Sequence, residues 1–247
     1  VRTREVGESL TSVISQMGLN EVDAFQQKFF WPVLQCMQRG VKVDKKHRAA
    51  LREELMEEMA KREDYFQHVL GHPLNPASKT QMQQLFYEDL KQQKIFSKAK
   101  PGKPPALTCG KEALKTIGQR EPILRPLLKA IAEYRSCGTF LKNFVLAALD
   151  VDDRMRTSYN ICGTETFRFS SSTNAFGSGG NLQNIPNAEA DVFKIRKAFI
   201  APPKHKLICR DYSALEMRLL ACAAMEKDMI SIFERKWDIH IDRKSVV

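Results

Sequence analysis

Residues Met155–Ser172 read MRTSYNICGTETFRFSSS, and their texture differs from everything before them. Thr, Ser, Tyr and Phe crowd this stretch, a composition that suits strands and turns better than helices. Upstream the pattern is helical. Apolar residues recur at three- and four-residue spacings from Phe29 through Met37 and again from Leu51 through Phe66, with Gly40 and a short VKVD run between the two blocks. After His72, Ser78 is placed to cap a helix that runs to about Leu90. Another helical block covers Gly110 to about Ala148, and Pro122 and Pro126 are expected to break it, since proline lacks the amide a helix interior needs. The fold expected is therefore α+β, with an all-helical part up to about residue 150 and a mixed part beyond.

The chain has 247 residues, 43% of them hydrophobic, and a formal net charge of +10. That is ample material for a core, and the charge points to a polyanionic partner, nucleic acid ahead of an acidic membrane. No apolar run approaches the roughly 18 residues that span a bilayer. The first residues, VRTREVGESLTSV, lack the apolar segment of a signal peptide, so a cytoplasmic protein with no membrane partner is expected. The six cysteines form no C-x-x-C pair and are read as reduced thiols, mostly in the core. A start at Val1 rather than Met leads us to expect sequence upstream.

Two loops offer chemistry. Lys91–Thr108, KQQKIFSKAKPGKPPALT, holds five lysines, three prolines and no acid. It is either a solvated linker or a phosphate-contacting loop. Ser170–Pro186, SSSTNAFGSGGNLQNIP, is either a flexible loop or a donor set in which Asn181, Gln183 and Asn184, near Arg168, suit phosphates and groove-edge acceptors of a duplex.

Asp211 lies in CRDYSALEMRLL, Cys209–Leu220. HKLIC before it reads as a short buried strand, with Leu207–Cys209 ending at Asp211, and SALEMRLLACAAM after it as a helix. A carboxylate at a strand end can bind Mg²⁺ together with substrate phosphates. Ser213 and Glu216 also have the S-x-x-E spacing of a capping box.

Several segments in one order carry a resemblance: GTETFRFSSS, NLQNIP, IRKAFIAP, DYSALEMRLLA and WDIH, preceded by MQRGVKVD, LNPASKTQMQQLFYEDL and AEYRSCGTFLKN. Together, from about Gln26 to His240, they resemble the family A DNA polymerases. The resemblance implies a right-hand polymerase in which a helical thumb and lead-in (25–150) precede an incomplete antiparallel-sheet palm (151–241). Residues 1–24 would link to an upstream exonuclease-type domain.

The resemblance also implies the chemistry: a primer 3′-hydroxyl attacks the α-phosphate of a deoxynucleoside triphosphate, with Mg²⁺ in a two-metal site. Asp211 resembles the first metal-binding aspartate, with the Tyr212 carbonyl beside it, and Glu216 resembles the steric gate against a 2′-hydroxyl. His240 matches a contact to the triphosphate. Arg168, Asn181, Gln183 and Asn184 match positions near the primer-template duplex, and Lys142 matches a thumb residue on backbone phosphate.

The sequence departs from the pattern at Phe167, where a glycine is usual, and at Ala214, where a glutamine is usual. The extra residues TNAFGSG resemble phage-type members. Neither the fingers helix nor the second catalytic aspartate follows DIH, so the chain alone is expected to be inactive. Asp242–Val247, DRKSVV, is expected to be a non-native tail, since its codons can reproduce a sequencing adapter. The alternatives are a non-catalytic duplex-binding module and a single-subunit RNA polymerase relative, the latter disfavoured by the Glu216 gate. Whether a processivity factor joins these partners is left open by the sequence.

Overall fold

The computed structural model describes residues 2–99, 102, 104–174, 177–187, 191–235 and 237. They fall into two compact units, residues 1–204 and 205–247. The change of texture near residue 150 is thus a change of element type within the first unit, and not a break between units. His240 and Asp242–Val247 lie outside the described residues.

Asp44 starts the helix that organises the first unit. Its carboxylate accepts hydrogen bonds from the amides of Lys46 (2.9 Å) and His47 (3.1 Å), satisfying donors that a helix start leaves open. Helix α4, Lys45–Leu70, ends at Gly71, whose φ of +75° is the left-handed cap conformation that glycine adopts without strain. Before it run α1 (Arg2–Gln16), α2 (Asn20–Gln27) and α3 (Phe30–Arg39). None of these three buries a residue, so the segment expected to be a linker is helical and exposed.

Leu51 and Leu55 of α4 enter one apolar cluster with Val43, Cys137, Phe144, Val145, Met155 and Ile195. Phe66, farther along, enters a second with Met82, Phe86, Ile117, Leu128 and Ile131. The second cluster is closed by α5 (Lys79–Gln83), a wide turn Gln84–Asp89, α6 (Lys111–Arg120) and α7 (Arg125–Phe140). Ser78 caps α5 by accepting from the Gln81 amide at 3.3 Å. The block breaks where the prolines stand: α6 ends at Arg120, a short turn spans Pro122–Leu124, and Pro126 sits in the first turn of α7, where a missing amide costs nothing.

Strands β1 (Val41–Val43), β2 (Arg154–Met155) and β5 (Phe199–Ile200) form a small antiparallel sheet in the order β2-β1-β5, with Val41 opposite Met155 and Val43 opposite Phe199. A separate hairpin pairs β3 (Ser158–Asn160) with β4 (Ser170–Ser172), Tyr159 opposite Ser171.

The second unit holds α8 (Leu215–Ala223) and α9 (Lys227–Glu234), joined where the Glu226 amide donates to the Ala221 carbonyl at 3.0 Å. The Arg218 guanidinium carbon lies 4.6 Å from the centroid of the Phe233 ring, a cation–π contact between the two helices. The strand expected at Leu207–Cys209 is absent. These residues form no regular element, with Leu207 59% and Ile208 82% exposed, and among the described residues no neighbouring strand pairs with them, without which a three-residue strand has no hydrogen-bonding partner. The capping box is also absent. Ala214, at φ +49°, precedes α8 with no side-chain cap bond, and the Ser213 carbonyl accepts from Arg218 Nε at 2.9 Å instead.

All six cysteines are free, and only Cys109 and Cys137 are buried, which corrects the expectation of a mostly core placement. No helix among the described residues is long and apolar enough to cross a membrane.

Candidate nucleic-acid interface

The β3–β4 hairpin carries the amides at its open edge. Asn181, which begins the short helical turn Leu182–Asn184, accepts at Oδ1 from the Gln183 amide at 3.0 Å. Its Nδ2 donates to the Ser171 carbonyl at 2.7 Å. The Ser171 hydroxyl reaches both Asn181 Oδ1 and Gln183 Oε1 at 2.5 and 2.7 Å, so one proton is shared between two acceptors. Gln183 Nε2 donates to the Phe169 carbonyl at 3.1 Å. Each side-chain amide spends one N–H on the hairpin and has a second to offer. Gln183 and Asn184 are exposed and Asn181 is half-buried.

Arg168 follows Phe167 in the turn of the hairpin and is exposed. The Thr164 hydroxyl donates to the Arg168 carbonyl at 3.0 Å, and the Phe167 amide to the Thr164 carbonyl at 3.2 Å. Phe167 itself sits at φ +57°, in the left-handed region that is strained for a bulky side chain. The residue read as standing in place of a glycine thus takes the left-handed conformation that glycine favours. At the other flank, a Cβ on Gly163 would lie 2.0 Å from Ser170 Oγ, so only glycine lets the turn close on β4.

Lys142 lies in the turn Leu141–Val145 that follows α7, and is exposed. The next residue, Asn143, approaches Gly180 so closely that a Cβ there would lie 2.8 Å from its carbonyl oxygen. This brings the Lys142 turn to the residue before Asn181. Lys142 also lines a cleft with Lys79, Arg135 and Thr108, and among the described residues no acidic side chain lines it. The Arg135 guanidinium is already committed to the carbonyls of Pro76 (2.8 Å) and Cys109 (2.7 Å).

Asp211, Tyr212 and Glu216 belong to the second unit. All three are exposed, Asp211 and Tyr212 in the irregular segment ahead of α8 and Glu216 in its first turn, where the helix dipole favours negative charge. Among the described residues no three His, Cys, Asp or Glu side chains come together as a metal cage. The donor set on offer is one carboxylate and the Tyr212 carbonyl. It fits Mg²⁺ only in the manner that leaves most positions to water and substrate phosphates.

Sequence reading missed the groups that hold this site in place. Ser171 anchors two amides, and Asp150 binds both Arg156 Nη1 (2.6 Å) and Ser178 Oγ (2.7 Å). The acid-base alternation of Asp150, Asp152, Arg154 and Arg156 signals ion pairing, although nothing in it points to Ser178. Arg156 holds the Asp150 and Asp152 carboxyls below the usual carboxylate range, with Ser178 adding to the effect at Asp150, and its own pKa is raised in return, Asp152 contributing most.

Comparison with known proteins places this geometry in context. Residues 45–247 match the family model of DNA polymerase family A. The chain is 30% identical over 210 residues to the thermostable DNA polymerase I of Thermus aquaticus, covering 83% of this chain and 24% of that protein. It is 33% identical over 233 residues to DNA polymerase I of Rhizobium leguminosarum, covering 92% and 22%. Among solved structures it resembles the POL domain of Pol1 from M. smegmatis, determined in complex with DNA primer-template and dNTP. The TM-score is 0.65 and the identity 24%, over 85% of this chain and 35% of that one, a likeness of fold. The chain spans about a quarter of the length of these curated relatives.

Proposed function

The chain belongs to DNA polymerase family A, and from that membership we propose that it is the thumb and first palm segment of a longer DNA-directed DNA polymerase that extends a primer 3′-hydroxyl with deoxynucleotides. On this reading the first unit grips primer-template DNA. Lys142 meets backbone phosphate, while Arg168, Asn181, Gln183 and Asn184 face the minor groove, whose acceptors are nearly alike for all base pairs and so permit sequence-independent contact. The observation that carries it is the anchored cluster of Ser171, Asn181 and Gln183 on a chain of net charge +10.

In the second unit, Asp211 and the Tyr212 carbonyl would hold Mg²⁺ together with triphosphate oxygens. The ion would supply charge stabilisation at the reacting phosphate. Glu216 would stand beside the sugar and disfavour a ribose 2′-hydroxyl, and His240 would contact the triphosphate. A single carboxylate is insufficient for two metals, so catalysis requires a second aspartate from elsewhere in the longer polymerase, and the isolated chain binds DNA without extending it. A cytoplasmic location follows from such a role.

Binding of a labelled primer-template to this chain tests the reading. Affinity independent of sequence and falling steeply with salt, as counterion release requires, supports it. Salt-independent affinity, or tight binding to one sequence alone, sinks it.

A further inference from the structure

Asn181 is preceded by a backbone crossing that is pinned from three sides. The Gly179 amide donates to the Ala148 carbonyl at 2.7 Å and the Gly180 amide to the Arg156 carbonyl at 3.2 Å. The approach leaves no room for side chains: a Cβ on Gly179, at φ +74°, would fall 1.8 Å from the Arg156 carbonyl oxygen, and one on Gly180 2.8 Å from that of Asn143.

What holds the crossing there is Asp150. Its Oδ1 accepts from Ser178 Oγ at 2.7 Å and its Oδ2 from Arg156 Nη1 at 2.6 Å. The Ser178 hydroxyl accepts in turn from Asn174 Nδ2 at 2.5 Å. Arg156 is fixed independently, by Asp152 at 2.7 and 2.9 Å and by the Gln38 carbonyl at 2.7 Å. A rigid arginine therefore fixes the carboxylate, and the carboxylate fixes the loop. Neither Ser178 nor the two glycines belongs to either apolar cluster, so the clamp orders a polar loop without contributing to the core.

We propose that Asp150 and Ser178 are positioning residues, which lock the Gly179–Gly180 crossing and thereby hold Asn181 and Gln183 at the angle at which they meet duplex DNA. Contacts of this kind tolerate little displacement, since a hydrogen bond weakens steeply outside its distance and angle range. The proposal rests on the duplex-binding reading above.

The test uses the full chain with Ser178→Ala, which removes only the hydroxyl, and Ser178→Thr, which keeps it. Amide hydrogen exchange at Gly179 and Gly180 and affinity for a primer-template duplex are measured in each. Ser178→Ala is expected to speed exchange at both glycines and to weaken duplex binding about three- to tenfold, with the salt slope unchanged. Ser178→Thr restores both. In an Asn181→Ala/Gln183→Ala background, Ser178→Ala changes affinity by less than about twofold, because the groups it positions are gone.

Unchanged exchange in Ser178→Ala overturns the clamp. Faster exchange with unaltered affinity, or an equal loss in the double-alanine background, overturns the positioning role. A wild-type chain that binds no duplex overturns the duplex-binding reading itself, a result distinct from a wild-type chain that binds and a Ser178→Ala chain that binds equally well.

Discussion

The Ser171 hydroxyl lies 2.7 Å from Gln183 Oε1, so that a strand residue and a turn residue twelve positions later share a hydrogen bond across the open edge of one hairpin. With Oε1 held by Ser171 and one Nε2 N–H spent on the Phe169 carbonyl, Gln183 keeps one N–H to donate, and the proposed function gives that group to base edges and Lys142 to phosphate. Gln183→Ala is expected to weaken primer-template binding by about 0.5 to 1.5 kcal/mol while leaving its salt dependence intact. Lys142→Ala should instead lower the slope of log affinity against log salt by roughly 0.9. A salt titration of both variants distinguishes base-edge from phosphate contact, and the same slope change in both would refute the division.

Phe167 is 54% exposed and held at φ +57°, so its backbone strain is poorly offset by burial. Phe167→Gly relieves a left-handed penalty of about 1 to 2 kcal/mol, against an entropic cost of about 0.5 to 1 kcal/mol for the added freedom of glycine. Urea unfolding should therefore find Phe167→Gly neutral or stabilised and Phe167→Val destabilised, because a branched Cβ fits the left-handed region worse still. A clear loss of stability in Phe167→Gly would show that the ring contributes packing that its exposure conceals.

The helices were legible because periodicity and caps are local: Ser78 caps its helix through the amide three residues on, and Asp44 and Gly71, which the sequence reading passed over, act over the same short range. The strand at Leu207–Cys209 was misread for the opposite reason. Alternation and apolarity describe what a segment can do, and a strand also needs a neighbour, which no local pattern guarantees. At the interface the amides were visible as residue types near Arg168, yet their anchoring by Ser171 depends on the register of β3 with β4. The tie from Asp150 to Ser178 joins residues 28 apart, beyond any spacing rule. Phe167 was identified as an unusual residue, although its φ could be known only from the fold.

Acid should loosen the same region. Asp150 and Asp152 are held below their ordinary value of 3.8, chiefly by hydrogen bonds from Arg156. A depressed carboxylate contributes stability that is present above its unfolded value and lost as pH falls through the folded one. Exchange protection at Gly179 and Gly180 is therefore expected to persist above about pH 4 and to fall below it. Asp150→Asn should remove most of that pH dependence, and retention of the full dependence in that variant would place its origin elsewhere.

Alkali should act on the helical cluster. Burial pushes the phenols of Tyr87 and Tyr134 up to about 12, from 10.0, and in Tyr134 the hydrogen bond to Glu63 Oε1 (2.8 Å) adds to it. Between those values the unfolded chain loses protons that the folded chain keeps, so stability falls as pH rises. Thermal unfolding should show a decline above about pH 10 that is shallower in Tyr134→Phe. An identical decline in the variant would mean that the phenol is not its source.

The account stands most directly on one primer-extension measurement with Asp211→Ala, made in a full-length polymerase that contains this chain. Nucleotide addition should drop about 100-fold or more while primer-template affinity stays within about twofold, because a carboxylate that holds metal acts on transition-state charge and not on duplex binding. In the same assay Glu216→Ala should retain addition and admit more ribonucleotide. Near-normal extension by Asp211→Ala would contradict the central claim, since the exposed aspartate ahead of α8 would then carry no part of the chemistry.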